Sequence, residues 1–297
     1  IRNDVEQAEK LPGVILPDDI MFTTDLKEAI GGKDMLVLAV PSPFTRSTAK
    51  AMSPFVAEGQ LIVSVAKGIE ENTLMTLSEI IMEEIPQCEV AVLCGPSHAE
   101  EVGKEIPTSL VAGAKKRATA ELVQNTFMSE VLRVYTSPDV LGMEIGASLK
   151  NVIALAAGMA DGLGYGDNTK AALITRGISE MGRLALAMGA KYETLSGLTG
   201  MGDLIVTCAS KHSRNRRAGY LMGQGYTMQQ AMDEVKMVVE GVYSAKAAIA
   251  LAKKYHVDMP IIEQVNEVLF ENKPAKDAVK ELMLRDKKVE HDDLEWQ

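Results

Sequence analysis

Short apolar segments alternate with amphipathic segments over the first half of the chain. The apolar segments are rich in Val, Ile and Leu and have the length of buried strands; they span 34–40, 61–66, 90–94, 109–112 and 131–135. Helices or helical turns are predicted between them, at 45–53, 71–84, 98–102 and 117–128. Continuous apolar strands that alternate with helices are typical of a mostly parallel sheet covered on both faces.

The pattern changes at about residue 140, where strand-like segments cease and helical periodicity takes over. Gly, Pro or Ser/Thr/Asn residues mark most junctions between the predicted helices. These helices span 141–162, 169–189, 201–208, 214–222, 227–235, 245–255, 261–271 and 275–284. The second half is therefore predicted to be an all-helical domain.

Ligands of an open parallel sheet bind outside the carboxyl ends of its strands. Here that edge is predicted at Pro41, at residues 67–68 and at residues 95–97. No G-x-G-x-x-G sequence follows a strand, so the pattern alone describes half of a dinucleotide-binding domain. We predict an α/β plus all-α fold, with a partial Rossmann-type parallel-sheet domain at 1–139 and an all-helical substrate domain at 140–297.

Composition is that of a globular protein and argues against several functional classes. Of the 297 residues, 46% are hydrophobic and 24% are charged. The formal net charge of −10 argues against a nucleic-acid partner, although a few convergent Lys and Arg residues can still bind a small anion. No apolar run reaches the about 18 residues expected of a membrane span. Cysteines and histidines lack ligand spacing, which predicts reduced thiols and no metal site.

Lys150 is the most unusual residue by local chemistry. It lies within GASLKNVIALAAG, residues 146–158, a run of small and apolar residues that predicts a buried helix. None of the residues three or four positions away carries a carboxylate that could pair with it. Because an unpaired buried charge is costly, two interpretations stay open: a lysine that extends to solvent, or one that points into a cleft and exchanges a proton.

Further polar candidates cluster shortly after residue 200. Asp203 and Thr207 share one face of a predicted helix, where Asp203 is either a helix-capping acid or part of a site. Ser213 is a favourable N-cap that would place Arg214 and Asn215 in the first turn of the next helix. Backbone amides, the helix dipole and a guanidinium would then converge, which is an arrangement that binds phosphate. The alternative is that this basic segment is only solvated.

Nine short motifs follow one another along the chain. They are LPGV (11–14), VAKGI (65–69), GPSHAE (95–100), SLKNV (148–152), DGLGYGDNTKAA (161–172), GMGDL (200–204), TC (207–208), SRNR (213–216) and VVEG (238–241). Each motif is weakly specific alone, but in this order they make the chain resemble the bacterial-type NAD(P)-dependent glycerol-3-phosphate dehydrogenases. The resemblance extends from the start of the chain to about residue 285.

The resemblance implies a role for each candidate residue. Lys150 would accept the proton when the C2 hydroxyl of glycerol 3-phosphate is oxidised, and donate it when dihydroxyacetone phosphate is reduced. The implied catalytic set is Lys150, Asn151, Asp203 and Thr207. The implied substrate contacts are Lys67, Gly95, Ser97, Lys150, Asp203, Ser213, Arg214 and Asn215. The implied contacts of the cofactor, NAD or NADP, are Lys67, Ala99, Arg214, Val238 and Glu240.

The sequence departs from the family pattern at its beginning. The family's first strand, glycine-rich turn and second strand are expected ahead of Ile1, so neither the pyrophosphate contacts nor the choice between NAD and NADP can be assigned. The resemblance further implies a cytoplasmic homodimer that supplies phospholipid synthesis. The alternatives are a related two-domain hydroxy-acid dehydrogenase and a non-catalytic ligand-binding protein.

Overall fold

A computed structural model describes residues 11–287, 289 and 290 of the protein. The outer ends of both predicted domains, at 1–10, 288 and 291–297, lie outside the described residues. Within the described residues the fold is a five-stranded sheet followed by a set of helices. The predicted fold class is confirmed.

All the predicted strands are present and form one sheet in the order β1-β2-β3-β4-β5. β1, β2 and β3 run parallel, β4 runs antiparallel to β3, and β5 runs parallel to β4. The reversal is possible because antiparallel neighbours do not need a long crossover, and the chain between β3 and β4 contains only one short helix. The strands are β1 Met35–Leu38, β2 Leu61–Ser64, β3 Glu89–Cys94, β4 Thr108–Ala114 and β5 Leu132–Ser137.

The helices of the sheet domain agree with the pattern except at two places. The helix predicted at 71–84 begins only at Leu77, because Thr76 and Glu79 form a capping box there and Ile69 bridges to Thr76. The first helix, α1, was not predicted; it is a single short turn stopped at Gly31. The helices are α1 Leu26–Ile30, α2 Thr45–Met52, α3 Leu77–Glu84, α4 Ala99–Val102 and α5 Arg117–Phe127.

The helical domain is built around α6, Val140–Gly162, which is buried almost throughout. Four-residue α8 was not predicted, and α12 begins at Glu240, five residues before its predicted start. The other helices are α7 Asp167–Ala187, α8 Tyr192–Leu195, α9 Asp203–Ala209, α10 Arg214–Gly223, α11 Met228–Val235, α12 Glu240–Tyr255, α13 Pro260–Phe270 and α14 Ala275–Met283.

Glycines allow α6 and α10 to cross at backbone contact distance. A Cβ at Gly158 would lie 2.0 Å from the carbonyl oxygen of Arg216, and one at Gly219 would lie 2.1 Å from that of Leu155. Any side chain at either position would therefore force the helices apart. The crossing fixes the start of α10 beside the middle of α6, where Lys150 lies.

Helix α6 also has the length and the apolar composition of a membrane-spanning helix. The best 18-residue window has a mean hydropathy of 1.4, but 89% of that window is buried inside the fold. Its first half packs Met143 and Ala147 against Val92 and Cys94 of β3. It is thus the core helix that joins the two domains and brings Lys150 to the carboxyl ends of the strands.

Candidate active site

Two lysines from opposite domains meet at one buried carboxylate. Asp203 is 1% exposed; its Oδ1 lies 2.5 Å from Lys150 Nζ and its Oδ2 lies 2.6 Å from Lys67 Nζ. Lys67 follows β2 and Lys150 lies in α6, so the carboxylate connects the sheet edge to the helical domain. Thr207, one turn after Asp203, places its hydroxyl oxygen 2.6 Å from Lys150 Nζ.

This geometry decides between the two interpretations of Lys150. Its side chain is only 5% exposed and its partners come from α9, which local sequence could not reveal. The side chain does not extend to solvent. Both carboxylate oxygens of Asp203 accept from lysines, Lys150 of the helical domain and Lys67 of the sheet domain, which is more than a helix-capping role requires.

The GMGD motif shapes the backbone that presents Asp203. Residues Leu198–Gly202 form a π-helical turn that runs directly into α9. A Cβ at Gly200 would lie 2.0 Å from the carbonyl oxygen of Leu195, so only glycine permits this turn. Such π-turns are frequent at functional sites, and here the turn places Asp203 at the first position of its helix.

The shared carboxylate affects the two lysines differently. Burial, reinforced by the charge of Lys67, lowers the pKa of Lys150 to about 8 despite the opposing effect of Asp203. Burial also acts on Lys67, but the charge of Asp203 and its hydrogen bond to the lysine together outweigh burial and raise the pKa of Lys67. Burial opposes ionisation of Asp203, yet the two lysines hold the pKa of its carboxyl below the usual value. Near neutral pH, Lys150 is therefore the member of the group that can release and take up a proton.

A chain of amides lies beside Lys150. Asn215 Nδ2 donates to Asn151 Oδ1 at 3.0 Å, and the backbone N–H of Gly241 donates to Asn215 Oδ1 at 2.8 Å. Ser213 caps α10 by accepting from the backbone N–H of Arg216 at 3.2 Å. The predicted cap is confirmed, and Arg214 and Asn215 occupy the first turn of α10 as expected.

The end of β3 contributes backbone groups to the same cleft. The carbonyl oxygen of Gly95 accepts from Lys67 Nζ at 3.0 Å and from Ser97 Oγ at 3.2 Å. Gly95 has φ +146°, and a Cβ there would press on Ser109 and Leu110 at 3.2 to 3.3 Å. Both the positive φ and the closeness of β4 therefore favour glycine at this strand end. Ala99, a predicted cofactor contact, begins α4 just beyond.

Glu240 and Ser42 are brought together although 198 residues separate them. The Glu240 carboxylate accepts the backbone N–H of Ser42 at 3.1 Å and also the Ser42 hydroxyl. Sequence reasoning gave Glu240 no structural interpretation and missed Ser42, because no local pattern signals a contact across domains. Val238, the other predicted cofactor residue on this segment, lies two residues before α12.

The remaining candidates do not form a second centre. Among the residues that the structure describes, no three His, Cys, Asp or Glu side chains are arranged to hold a metal ion. Cys94 and Cys208 are buried, and burial raises the pKa of each thiol to about 12, while Cys88 is half-buried. All three thiols are free, consistent with the expectation of reduced cysteines.

A parallel sheet whose strand ends face a lysine–aspartate group on a helical domain is the arrangement of a two-domain, dinucleotide-dependent oxidoreductase. Comparison with known proteins agrees. Family models of the NAD-dependent glycerol-3-phosphate dehydrogenase N-terminus and C-terminus match residues 1–120 and 139–280. The chain belongs to this family, whose members use NAD or NADP.

Individual relatives give the same result. Glycerol-3-phosphate dehydrogenase [NAD(P)+] of Agathobacter rectalis is 73% identical, and the alignment covers 98% of this chain and 87% of that protein. The Fusobacterium nucleatum protein of the same name is 62% identical over 96% of this chain and 86% of its own. A crystal structure of the Coxiella burnetii enzyme is 36% identical, with a TM-score of 0.89 over 93% of this chain and 84% of that one. The expected glycine-rich segment ahead of Ile1 stays a prediction.

Proposed function

We propose that the protein interconverts dihydroxyacetone phosphate and sn-glycerol 3-phosphate, and that Lys150 transfers the proton. The observation that carries this proposal is the convergence of Lys150, Lys67 and Asp203 at the carboxyl edge of the sheet. The relatives at 73% and 62% identity bear the name of this activity. The convergence of these charged groups at a ligand-binding edge argues against a non-catalytic role.

The bound nicotinamide supplies or takes up the hydride at C2 of the substrate. In the reducing direction, the Lys150 ammonium gives a proton to the carbonyl oxygen as the hydride reaches carbon, which leaves a neutral amine and a C2 hydroxyl. In the oxidising direction the neutral amine takes the hydroxyl proton back. A pKa near 8 suits both directions, because both protonation states are populated near neutral pH.

The other members of the group hold Lys150 and the substrate. Asp203 and Thr207 fix Lys150 Nζ by short hydrogen bonds, so the amine has few alternative positions. Lys67, whose pKa is raised, keeps its charge and can attract the anionic substrate. Asn151 completes the predicted catalytic set through its hydrogen bond to Asn215.

The substrate phosphate is proposed to bind at the start of α10. Ser213, Arg214 and Asn215 place backbone amides, a guanidinium and an amide there, which is a favourable combination for a phosphate. Gly95 and Ser97, on the facing strand end, complete the proposed substrate contacts. A phosphate held away from C2 contributes binding energy that orients the reacting carbon.

The two halves of the chain are proposed to bind different ligands. We propose that residues 1–139 carry the dinucleotide, through Lys67 and Ala99, and that residues 140–297 carry the substrate and contribute Arg214, Val238 and Glu240 to the cofactor. We further infer a cytoplasmic homodimer whose product enters phospholipid synthesis.

The test follows NADH or NADPH absorbance with dihydroxyacetone phosphate as substrate. Wild-type protein should consume one of the two cofactors, and Lys150→Ala should lose about 100-fold or more of kcat. Lys116→Ala is the matched control, because Lys116 is an exposed lysine that pairs only with Glu89. Absence of turnover with either cofactor would contradict the proposed activity. An unimpaired Lys150→Ala variant would contradict the role of the lysine.

A further inference from the structure

Two glutamates of the helical domain reach across to the sheet domain and bind a serine there in the same way. Glu144 accepts the backbone N–H of Ser78 at 2.9 Å and its hydroxyl at 2.5 Å. Glu240 accepts the backbone N–H and the hydroxyl of Ser42. We refer to these paired contacts as the Glu144 clasp and the Glu240 clasp.

The two clasps differ in their surroundings. Glu144 of α6 is 5% exposed, accepts from Ser78 at the start of α3 and lines a small cavity with Lys67, Gly68 and Cys94. The Glu240 clasp lies at the carboxyl edge of β1 and is only half-buried. The Glu144 clasp is therefore enclosed between the domains, whereas the Glu240 clasp is accessible at the edge where the cofactor is proposed to bind.

The Glu240 clasp is tightly packed at the sheet edge. Ser42 begins a single helical turn, Ser42–Phe44, directly after Pro41. A Cβ at Gly68 would lie 2.3 Å from Ser42 Cβ and 3.6 Å from Glu240 Oε2. The ends of β1 and β2 therefore leave Ser42 no room to move toward Gly68, and its hydroxyl is held toward Glu240.

The clasp is continuous with the amides beside Lys150. Glu240 is the first residue of α12, and the N–H of the next residue, Gly241, donates to Asn215 Oδ1 at 2.8 Å. A Cβ at Gly241 would lie 2.6 Å from the carbonyl oxygen of Asn151, so this end of α12 rests directly on α6. The position of Glu240 is thus coupled through rigid backbone to the residue next to Lys150.

The neutral character of Ser42 matters because the positive charge of Arg214 also acts on Glu240. Burial raises the pKa of the Glu240 carboxyl, while the hydrogen bonds from Ser42 and the positive charge of Arg214, the predicted phosphate and cofactor contact, oppose this. Without the serine, the glutamate would be free to turn toward that guanidinium and neutralise it. Ser42 offers two neutral donors instead, which hold the carboxylate without consuming a cation.

We propose that Ser42 is a positioning residue for cofactor binding: it fixes Glu240 at the sheet edge and leaves Arg214 available. This inference rests on the proposed function, since it assumes that Glu240 contacts the cofactor. It predicts that Ser42 acts on cofactor affinity more than on the chemical step.

The direct test is calorimetric titration of the full-length protein with NADH and with NADPH. Ser42→Ala should raise the Kd of the preferred cofactor about tenfold, the usual size of a lost hydrogen bond to a carboxylate, and Ser42→Thr should restore most of it. In steady-state assays the KM for the cofactor should rise with the Kd, while kcat stays within about twofold of wild type.

The matched control is Ser78→Ala, which removes the same hydroxyl from the Glu144 clasp. That variant should have a lower Tm and an unchanged cofactor Kd. An unchanged Kd in Ser42→Ala would overturn the proposal, and so would an equal loss of affinity in Ser78→Ala, because general loosening of the domains would then explain both.

A second measurement needs no cofactor. Hydrogen exchange of the peptide containing the Ser42 amide should be faster in Glu240→Ala than in wild type, because the carboxylate accepts that N–H. Unchanged exchange would contradict the clasp itself. Failure of the proposed function would instead appear as cofactor binding without turnover of dihydroxyacetone phosphate, and it would leave these binding results standing.

Discussion

Asp203 and Glu180 are deeply buried carboxylates of the helical domain in contrasting surroundings. Asp203 faces two lysines in the cleft, and they hold its pKa below the usual value although burial opposes this. Glu180 of α7 lies in the interior and accepts the backbone N–H groups of Ile261 and Ile262 at the start of α13. Burial raises the pKa of Glu180 to about 7.

The contrast shows that burial alone does not mark an active site. Glu180 is partnered by amides of one neighbouring helix and serves to anchor α13. Asp203 is partnered by cations that arrive from both domains. A buried acid becomes a candidate for chemistry when such charges converge on it at a ligand-binding edge.

Removing the charge of Asp203 should have the largest effect, because it acts on activity and stability together. Asp203→Asn leaves the buried Lys150 and the partly buried Lys67 without a carboxylate, and breaking a buried pair costs about 3–5 kcal/mol. We expect kcat to fall by about 100-fold or more and the midpoint of urea unfolding to fall with it. Glu180→Gln is the matched substitution at the other buried acid. Should that variant lose as much activity, the distinction between the two carboxylates would be wrong.

Substitution at the proposed phosphate site should have a smaller and more selective effect. Arg214→Ala is expected to raise the KM for dihydroxyacetone phosphate about tenfold or more, because a charge-assisted contact is lost. With unphosphorylated dihydroxyacetone and saturating cofactor, which removes any effect of Arg214 on cofactor affinity, wild type and variant should differ little. Arg217→Ala is the control: its side chain is 58% exposed and lies 3.9 Å from Glu234. Equal losses with both substrates would place the phosphate elsewhere.

Helix packing offers a test that involves no charge. Gly219→Ala would put a Cβ 2.1 Å from the carbonyl oxygen of Leu155, and we expect a loss of about 1–3 kcal/mol in the free energy of unfolding. Gly225→Ala is an unsuitable control because of its φ of +97°, whereas Gly166 is open and has no positive φ. Gly166→Ala should therefore change stability little. A Gly219→Ala protein as stable as wild type would contradict the close crossing of α6 and α10.

The most gradual effect is expected in the pH dependence of stability. Because the folded pKa of Glu180 is raised to about 7, its contribution is fully present below its unfolded pKa of 4.5 and is lost as pH rises through about 7. In Glu180→Gln this contribution is absent, so the free energy of unfolding should decline less between pH 4.5 and about 7 than in wild type. Urea unfolding at several pH values measures it. An identical pH dependence in wild type and variant would show that Glu180 does not titrate in this window.

The architecture was predictable because it depends on periodicity. All the strands and the long helices follow from apolar runs and helical spacing, which are local properties. Short α1 and α8 were missed because four or five residues carry little helical pattern, although α4, equally short, was predicted as a helical turn at 98–102. The late start of α3 depends on a capping box that the pattern did not distinguish from a longer helix.

The site was predictable only in part. Local chemistry singled out Lys150 as a lysine without a partner, and the Ser213 cap could be read directly. The partner of Lys150 could not be predicted, because Asp203 lies 53 positions away in the sequence and the π-turn places it beside the lysine. Ser42 and Glu144 carry no local signal at all, because their importance arises from contacts between domains.

The most direct test of the central claim is the pH dependence of kcat in both directions. If Lys150 transfers the proton with a pKa of about 8, reduction of dihydroxyacetone phosphate should slow as pH rises through that value, and oxidation of glycerol 3-phosphate should accelerate. Lys67→Met should move both inflections to higher pH, because the positive charge of Lys67 lowers the pKa of Lys150. Inflections that stay in place in Lys67→Met, or profiles that do not mirror each other in wild type, would contradict Lys150 as the proton-transferring group.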